Sequence, residues 1–288
     1  MRIGVTTPTG TVGRLLLRSL VRAGHRPVAL VRDPDRLDPA VRPFVDAVVI
    51  DQLDPRRTTA ATAGLDALYW VDPTTPEEDP LVSYGKATDA VAAAVQANRI
   101  PRVVFQSSIG AELRQGAGEI DGLAATEVAL DATGADVAHL RCGSFFTNLT
   151  FDLDAVRSGM LETVLPLDLP FPWASPADVA EVAAGRLAGD WSGRVVQGVL
   201  GPADLSWADA VQVVAAATGR PLAVTRIEDE EQRAALRAIG MTDARVESVL
   251  GMSTFLRGRY RLEPPRDVVS STPITLASWA HSELRPLL

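Results

Sequence analysis

Short apolar runs alternate with helical patterns along the first half of the chain. Residues 3–5 and 27–31 are apolar runs of strand length. Between them, Leu15, Leu16, Leu20 and Val21 recur at helical spacing over residues 14–23, and Gly24 closes the pattern. Further runs at 47–50, 67–71, 103–106 and 137–140 predict strands, with helices at 82–98 and 122–133. Strands that are apolar throughout and separated by helices belong to a parallel sheet covered on both faces. The pattern predicts an α/β fold: a doubly wound parallel sheet of the Rossmann kind.

The rhythm changes after about residue 148. Prolines 166, 170, 172 and 176 punctuate the chain, and Phe171-Pro172-Trp173 reads as a turn. Helical patterns follow at 178–187, 206–218, 229–239 and 242–256, with a strand at 194–200. These features predict a Rossmann domain over 1–150 and a smaller mixed α/β lobe over 151–288. Residues of about 190–201 are expected to return to the main sheet.

Composition narrows the functional classes. Hydrophobic residues make up 47% and charged residues 22%, enough apolar material for a full core. No apolar stretch reaches the roughly 18 residues that a membrane-spanning helix needs. The first residues enter a strand pattern at once, which leaves no room for a signal peptide, so a cytoplasmic protein is expected. The net charge is −8 and Lys86 is the sole lysine, which argues against binding nucleic acid through phosphates. The single cysteine, Cys142, excludes an intrachain disulfide and a thiolate cluster, and no metal site is expected. No stretch marks a dimer face, and a homo-oligomer stays open.

The first predicted strand runs into Thr6-Thr7-Pro8-Thr9-Gly10-Thr11-Val12-Gly13 and then a helix. A strand, a glycine turn and a helix N-terminus make a pyrophosphate site: Gly10 lets the backbone approach, Gly13 permits close helix–strand packing, and free N–H groups face the anion. The usual first glycine is replaced by Thr7. The second strand ends at Arg32, an arginine suited to a ribose 2′-phosphate, so NADP(H) is favoured. Asp33 follows it and keeps NAD(H) open. Asp51 and Gln52, after the third strand, are candidates for the adenine side.

Several segments together resemble the NmrA-like branch of the atypical short-chain dehydrogenase/reductases. They are the turn at 6–13, Leu30-Val31-Arg32-Asp33-Pro34, Phe105-Gln106-Ser107-Ser108-Ile109-Gly110-Ala111, Thr126-Glu127, Thr133-Gly134, the segment 139–148 and Trp173-Ala174-Ser175-Pro176-Ala177-Asp178-Val179. The resemblance covers roughly the first 190 residues. It implies that the turn around Thr9 to Gly13 holds the pyrophosphate and Arg32 the 2′-phosphate. Val71, Asp72, Pro73 and Ser107 would line the ribose and nicotinamide, and Gly143 and Phe145 would close over the nicotinamide.

Orthodox members of that superfamily use a Tyr-x-x-x-Lys pair. Here the tyrosines are Tyr69, Tyr84 and Tyr260, and Lys86 is two positions after Tyr84, so the pair is absent in its usual spacing. The expected activity is an NADPH-dependent oxidoreductase that passes hydride directly to a small, quinone-like acceptor. The resulting anion would take its proton from water. Ser108, Phe146, Asn148 and Trp173 are the candidates for the acceptor pocket. A non-catalytic redox sensor and a dedicated biosynthetic enzyme on the same fold are the alternatives. Elsewhere, His139 and Cys142 read as structural, Glu127 as facing solvent or an arginine, and residues 228–231 as the acidic first turn of a helix.

Overall fold

The computed structural model describes residues 1–73, 79–258 and 260–288. Its strands are β1 (Ile3–Thr6), β2 (Val28–Val31), β3 (Asp46–Val49), β4 (Ala67–Trp70), β5 (Arg102–Ser108) and β6 (Asp136–Cys142). After these come β7 (Ser144–Phe145), β8 (Met160–Thr163), β9 (Phe171–Ala174), β10 (Arg194–Val199), β11 (Asp204–Leu205) and β12 (Ala223–Arg226). Helices α1 (Gly13–Arg22), α2 (Pro55–Ala61), α3 (Pro80–Asn98), α4 (Ile120–Asp131) and α5 (Leu153–Ser158) fill the first half. Helices α6 (Pro176–Ala188), α7 (Trp207–Thr218), α8 (Asp229–Ala238), α9 (Asp243–Gly258) and α10 (Leu276–Trp279) follow.

Among the described residues, seven parallel strands form the main sheet in the order β10-β6-β5-β4-β1-β2-β3. Helices α1 and α6 cover one face, where Leu16, Leu17 and Leu20 meet Val179, Ala183 and Leu187 over Val5 and Val104. The other face is covered by α2, α3 and α4, with Leu68, Trp70, Val91, Val95 and Phe105 between them. Edge strand β3 differs from the inner strands, because Asp46, Ala47 and Val49 are exposed.

The order of strands reverses between β1 and β4, and a crevice opens beyond their carboxyl ends. The Thr6 hydroxyl pins these two ends together. It donates to the Tyr69 carbonyl at 3.0 Å and accepts from the Val71 N–H at 3.1 Å. Gln52 adds a third tie by donating from Nε2 to the Val71 carbonyl at 2.8 Å.

Two sequence expectations are corrected in the remaining part of the molecule. Phe171-Pro172-Trp173 is not a turn but part of β9, which pairs with β11 and β7. Phe146 and Trp173, expected in an acceptor pocket, are each only 1% exposed and belong to the core. Trp173 stacks on Phe171 at 5.0 Å, meets Trp207 edge-on at 5.1 Å and donates to the Leu205 carbonyl at 2.9 Å. Phe146 packs against Trp279 at 5.8 Å. Phe145 ends β7 and lines the cleft, whereas Phe146 opens the 3-10 turn over Phe146–Thr150 and packs into the core.

Helix α9 lies close against the loop before α4. Gly118 has φ +62°, and a Cβ there would sit 2.0 Å from the Ser248 carbonyl oxygen; Gly251 faces it from α9. The two glycines let the backbones meet, which hangs Met252 and Phe255 of α9 beside the crevice. Among the described residues no helix is long and apolar enough to cross a membrane, and no group of three or more His, Cys, Asp or Glu is placed to hold a metal.

Candidate active site

Three cavities meet around the crevice. The largest, about 850 Å³, runs from Gly10, Thr11, Val12 and Gly13 past Arg32 to Val71, Asp72, Gln106 and Phe145. A recess of about 320 Å³ extends it past Thr9 to Arg32, Arg36, Asp51 and Gln52, and Pro73 lines both. At the other end a chamber of about 310 Å³ begins at Val71, Asp72, Gln106, Phe145 and Asn148, which it shares with the main cleft. Ser107, Ser108 and Gly143 line that chamber.

The Thr9–Gly13 turn has an unusual backbone. Thr7 lies at φ +46°, a region in which a β-branched residue costs about 1–3 kcal/mol. Its carbonyl oxygen accepts from the Gly10 N–H at 2.9 Å and closes the turn. Helix α1 starts at Gly13, and its N-cap, Val12, makes no side-chain hydrogen bond. The Arg14 and Leu15 N–H groups donate to the Gly10 and Val12 carbonyls at 3.1 and 3.0 Å, whereas those of Thr11, Val12 and Gly13 donate to no described residue and are the ones left for an anion. A Cβ on Gly13 would stand 2.2 Å from the Thr7 carbonyl oxygen. Gly13→Ala is therefore expected to deform the turn and cost about 1–3 kcal/mol in stability. It should also weaken NADPH binding at least about tenfold, measurable by fluorescence titration.

Arg32 is exposed at the end of β2, with Arg36 beside it in the same recess. Neither guanidinium is hydrogen-bonded to a described residue. Asp33 is already engaged, since its carboxylate accepts from the Asp35 N–H at 3.0 Å and caps a short 3-10 turn. The recess thus presents two unpaired cations and an occupied acid, which fits a ribose 2′-phosphate better than a bare 2′-hydroxyl. The open helix terminus, the turn a Cβ would fill and these arginines together suit a phosphorylated dinucleotide.

The end of β4 carries Asp72, only 6% exposed. Its carboxyl oxygens accept from Trp70 Nε1 at 2.7 Å and from Thr126 Oγ1 at 2.7 Å. Burial raises its pKa to about 7 against these two hydrogen bonds. On the opposite side of the sheet, buried Tyr69 donates to Gln106 Oε1 at 2.5 Å. That bond fixes the amide and leaves Gln106 Nε2 as the donor group available to the cleft. Asn148 Nδ2 donates to Ser144 Oγ at 3.2 Å, which leaves its second N–H and its carbonyl oxygen for a ligand.

Beneath the chamber lies a buried ion network. Glu127 is fully buried and accepts from Arg141 at 3.0 and 2.8 Å, from Arg114 at 3.1 Å and from Ser107 Oγ at 2.8 Å. Burial alone would raise the carboxyl pKa, but hydrogen bonds and charge from Arg141 hold it below the ordinary range. Glu127 therefore faces arginines and not solvent. His139 is a buried structural residue bonded to Asp131 at 2.7 Å, and burial pushes the Cys142 thiol up, away from reactivity.

The residues named from the sequence for the cofactor thus surround one continuous space. Of the four named for the acceptor, Ser108 and Asn148 line the chamber, while Phe146 and Trp173 do not. Sequence reasoning missed Gln106, Tyr84 and the apolar roof of Met252, Phe255 and Leu256. It also missed the C-terminal wall of the cleft, which includes Ile274, Trp279 and Glu283. Gln106 was detectable, since alternation along β5 puts it opposite the core residue Phe105. Nothing in the sequence placed the roof or the C-terminal wall.

A family model described as NAD(P)H-binding matches residues 8–155. The chain is 26% identical over 258 residues to an NAD(P)H azoreductase from Xenophilus azovorans, covering 89% of this chain and 85% of that protein. Its fold is similar to a nucleoside-diphosphate-sugar epimerase from Staphylococcus aureus, with a TM-score of 0.80, 13% identity and coverage of 98% and 100%. It is also similar to an NADPH-dependent quinone oxidoreductase from Escherichia coli, solved with NADPH, with a TM-score of 0.74, 19% identity and coverage of 96% and 98%. One fold hosts both an epimerase and a reductase, so the fold alone does not set the chemistry. The match over more than half its length, on the turn and strands that build the cleft, shows that the chain belongs to the NAD(P)H-binding family, in keeping with its resemblance to the NmrA-like atypical short-chain dehydrogenase/reductases.

Proposed function

We propose that this NAD(P)H-dependent oxidoreductase uses NADPH to reduce a flat, conjugated, electron-poor acceptor, with quinones as the leading class. The observation that carries the reading is the apolar chamber joined to the cofactor cleft at Asp72, Gln106 and Phe145. Ile109, Ile120, Leu123, Met252, Phe255 and Leu256 wall it, and among the described residues no lysine or arginine lines it. Such walls favour an uncharged planar molecule and exclude water.

The bound cofactor supplies the hydride. The chain's own residues supply position: the α1 terminus and Arg32 hold the phosphates, and Phe145 stands between cleft and chamber. Gln106 Nε2 gives a fixed donor for an acceptor oxygen. Alignment of this kind can supply about 7–11 kcal/mol of a barrier. The names of the azoreductase and quinone oxidoreductase relatives support the same class, since an azo bond and a quinone both accept hydride into a conjugated system.

The test is steady-state NADPH oxidation by purified protein with a naphthoquinone, beside the same assay with NADH. Quinone-dependent turnover with a lower KM for NADPH is expected. Tight binding of NADPH without oxidation by any quinone would reassign the chain to a non-catalytic sensor.

A further inference from the structure

We propose that Asp72 is the proton donor of the reduction, delivering its carboxyl proton to the acceptor anion at the mouth of the apolar chamber. This inference rests on the reductase reading above. Hydride arriving at a quinone makes an oxyanion, and an anion in an apolar, water-poor chamber is costly unless a proton or cation meets it. Among the described residues no lysine or arginine lines the chamber, which turns attention to the acids of its wall.

Among the described residues the wall offers three titratable groups: Asp72, Tyr84 and Cys142. Burial pushes the Cys142 thiol far up. Burial also raises Tyr84, whose hydroxyl is hydrogen-bonded to Glu119, with Asp72 and Arg245 as further charged neighbours. Asp72 is the one of the three that lines both the chamber and the cofactor cleft. The groups bonded to its carboxyl, from β4 and α4, are Trp70 Nε1 and Thr126 Oγ1, both neutral, and Tyr84 of α3 is its titratable neighbour. With no cation among the described residues paired to it, burial raises the carboxyl pKa to about 7. Thr126 accommodates either state, because its hydroxyl also lies 2.6 Å from Thr88 Oγ1 and 3.3 Å from the Gly122 carbonyl.

Two electrons and one hydrogen pass from the reduced nicotinamide to the quinone, and a C=O π bond opens to an oxyanion. The Asp72 O–H breaks and its proton forms the new O–H, giving hydroquinone, oxidised cofactor and the Asp72 carboxylate. Solvent returns the proton once the cleft is open.

Asp72→Asn keeps the size and both hydrogen-bonding positions but holds no transferable proton. With NADPH and a naphthoquinone from about pH 5 to about pH 9, wild-type kcat should fall as pH rises through about 7. At saturating NADPH the variant should lose about 100-fold in kcat at neutral pH and show no such limb. A second readout needs no turnover. A carboxyl raised in the folded state loses stability as pH climbs from its ordinary value toward about 7. The Tm of wild type relative to Asp72→Asn should therefore decline over that window and level off above it. Wild-type rate and pH profile in Asp72→Asn, or a Tm difference flat with pH, would overturn the donor role. Absence of quinone turnover in the wild type itself would instead mark failure of the reductase reading, with the Tm titration still reporting on Asp72.

Discussion

Glu127→Ala is expected to lower the stability of the protein by about 3–5 kcal/mol. The carboxylate has no access to solvent and holds two arginines and a serine. Its removal leaves Arg141, itself 4% exposed, with a buried charge answered more weakly, by Glu112 at 3.4 Å and by Glu263, whose carbonyl accepts from it at 3.2 Å. A buried ion pair need not be stabilising in total, but a broken one is costly. The paired Glu127→Met, Arg141→Met replacement should accordingly recover part of the loss, and urea melts of both variants would show it. The pH dependence has a definite sign. Arg141 holds the Glu127 pKa below its ordinary value of 4.5, so the contribution is present above that value and is lost as pH falls through the lower folded value. The gap between wild type and Glu127→Ala should narrow only in acid. The same network fixes Ser107 in the chamber, so the variant should also raise the KM for the acceptor.

The second large effect is on the cofactor. Arg32→Glu should weaken NADPH binding by roughly 100-fold, about 2–3 kcal/mol, while leaving NADH binding within a fewfold of wild type. The loss combines a charge-assisted, bidentate contact to phosphate with repulsion by the new carboxylate. Arg36 in the same recess keeps the loss from being total. Parallel titrations with the two dinucleotides check it, and an equal loss for both would mean that Arg32 does not read the 2′-phosphate.

How much of this was legible before the fold was known varies by region. The strand–turn–helix at residues 3–22 was plain because its apolar periodicity and its glycines say the same thing. The recess lined by Arg32, Asp51 and Gln52 was legible for a related reason, since these residues follow directly from the ends of predicted strands. The chamber was not. Its roof comes from α9, more than 100 residues beyond β5, and its seat depends on Gly118 meeting Gly251, a contact with no local signal. Phe146 and Trp173 were misjudged because an aromatic near a site and an aromatic in a core have the same sequence signature. The strain at Thr7 was also hidden, because a threonine in place of glycine does not reveal whether the backbone has kept the glycine conformation.

The measurement that bears most directly on the central claim is a single turnover. Protein saturated with NADPH deuterated at the transferring carbon is mixed without oxygen with a naphthoquinone, and the nicotinamide absorbance is followed. Hydride transfer across the junction of cleft and chamber predicts one exponential loss of absorbance. Its rate should saturate with quinone and be slower than with unlabelled NADPH. An absorbance that stays constant at saturating quinone, in protein shown to hold NADPH, would contradict the account.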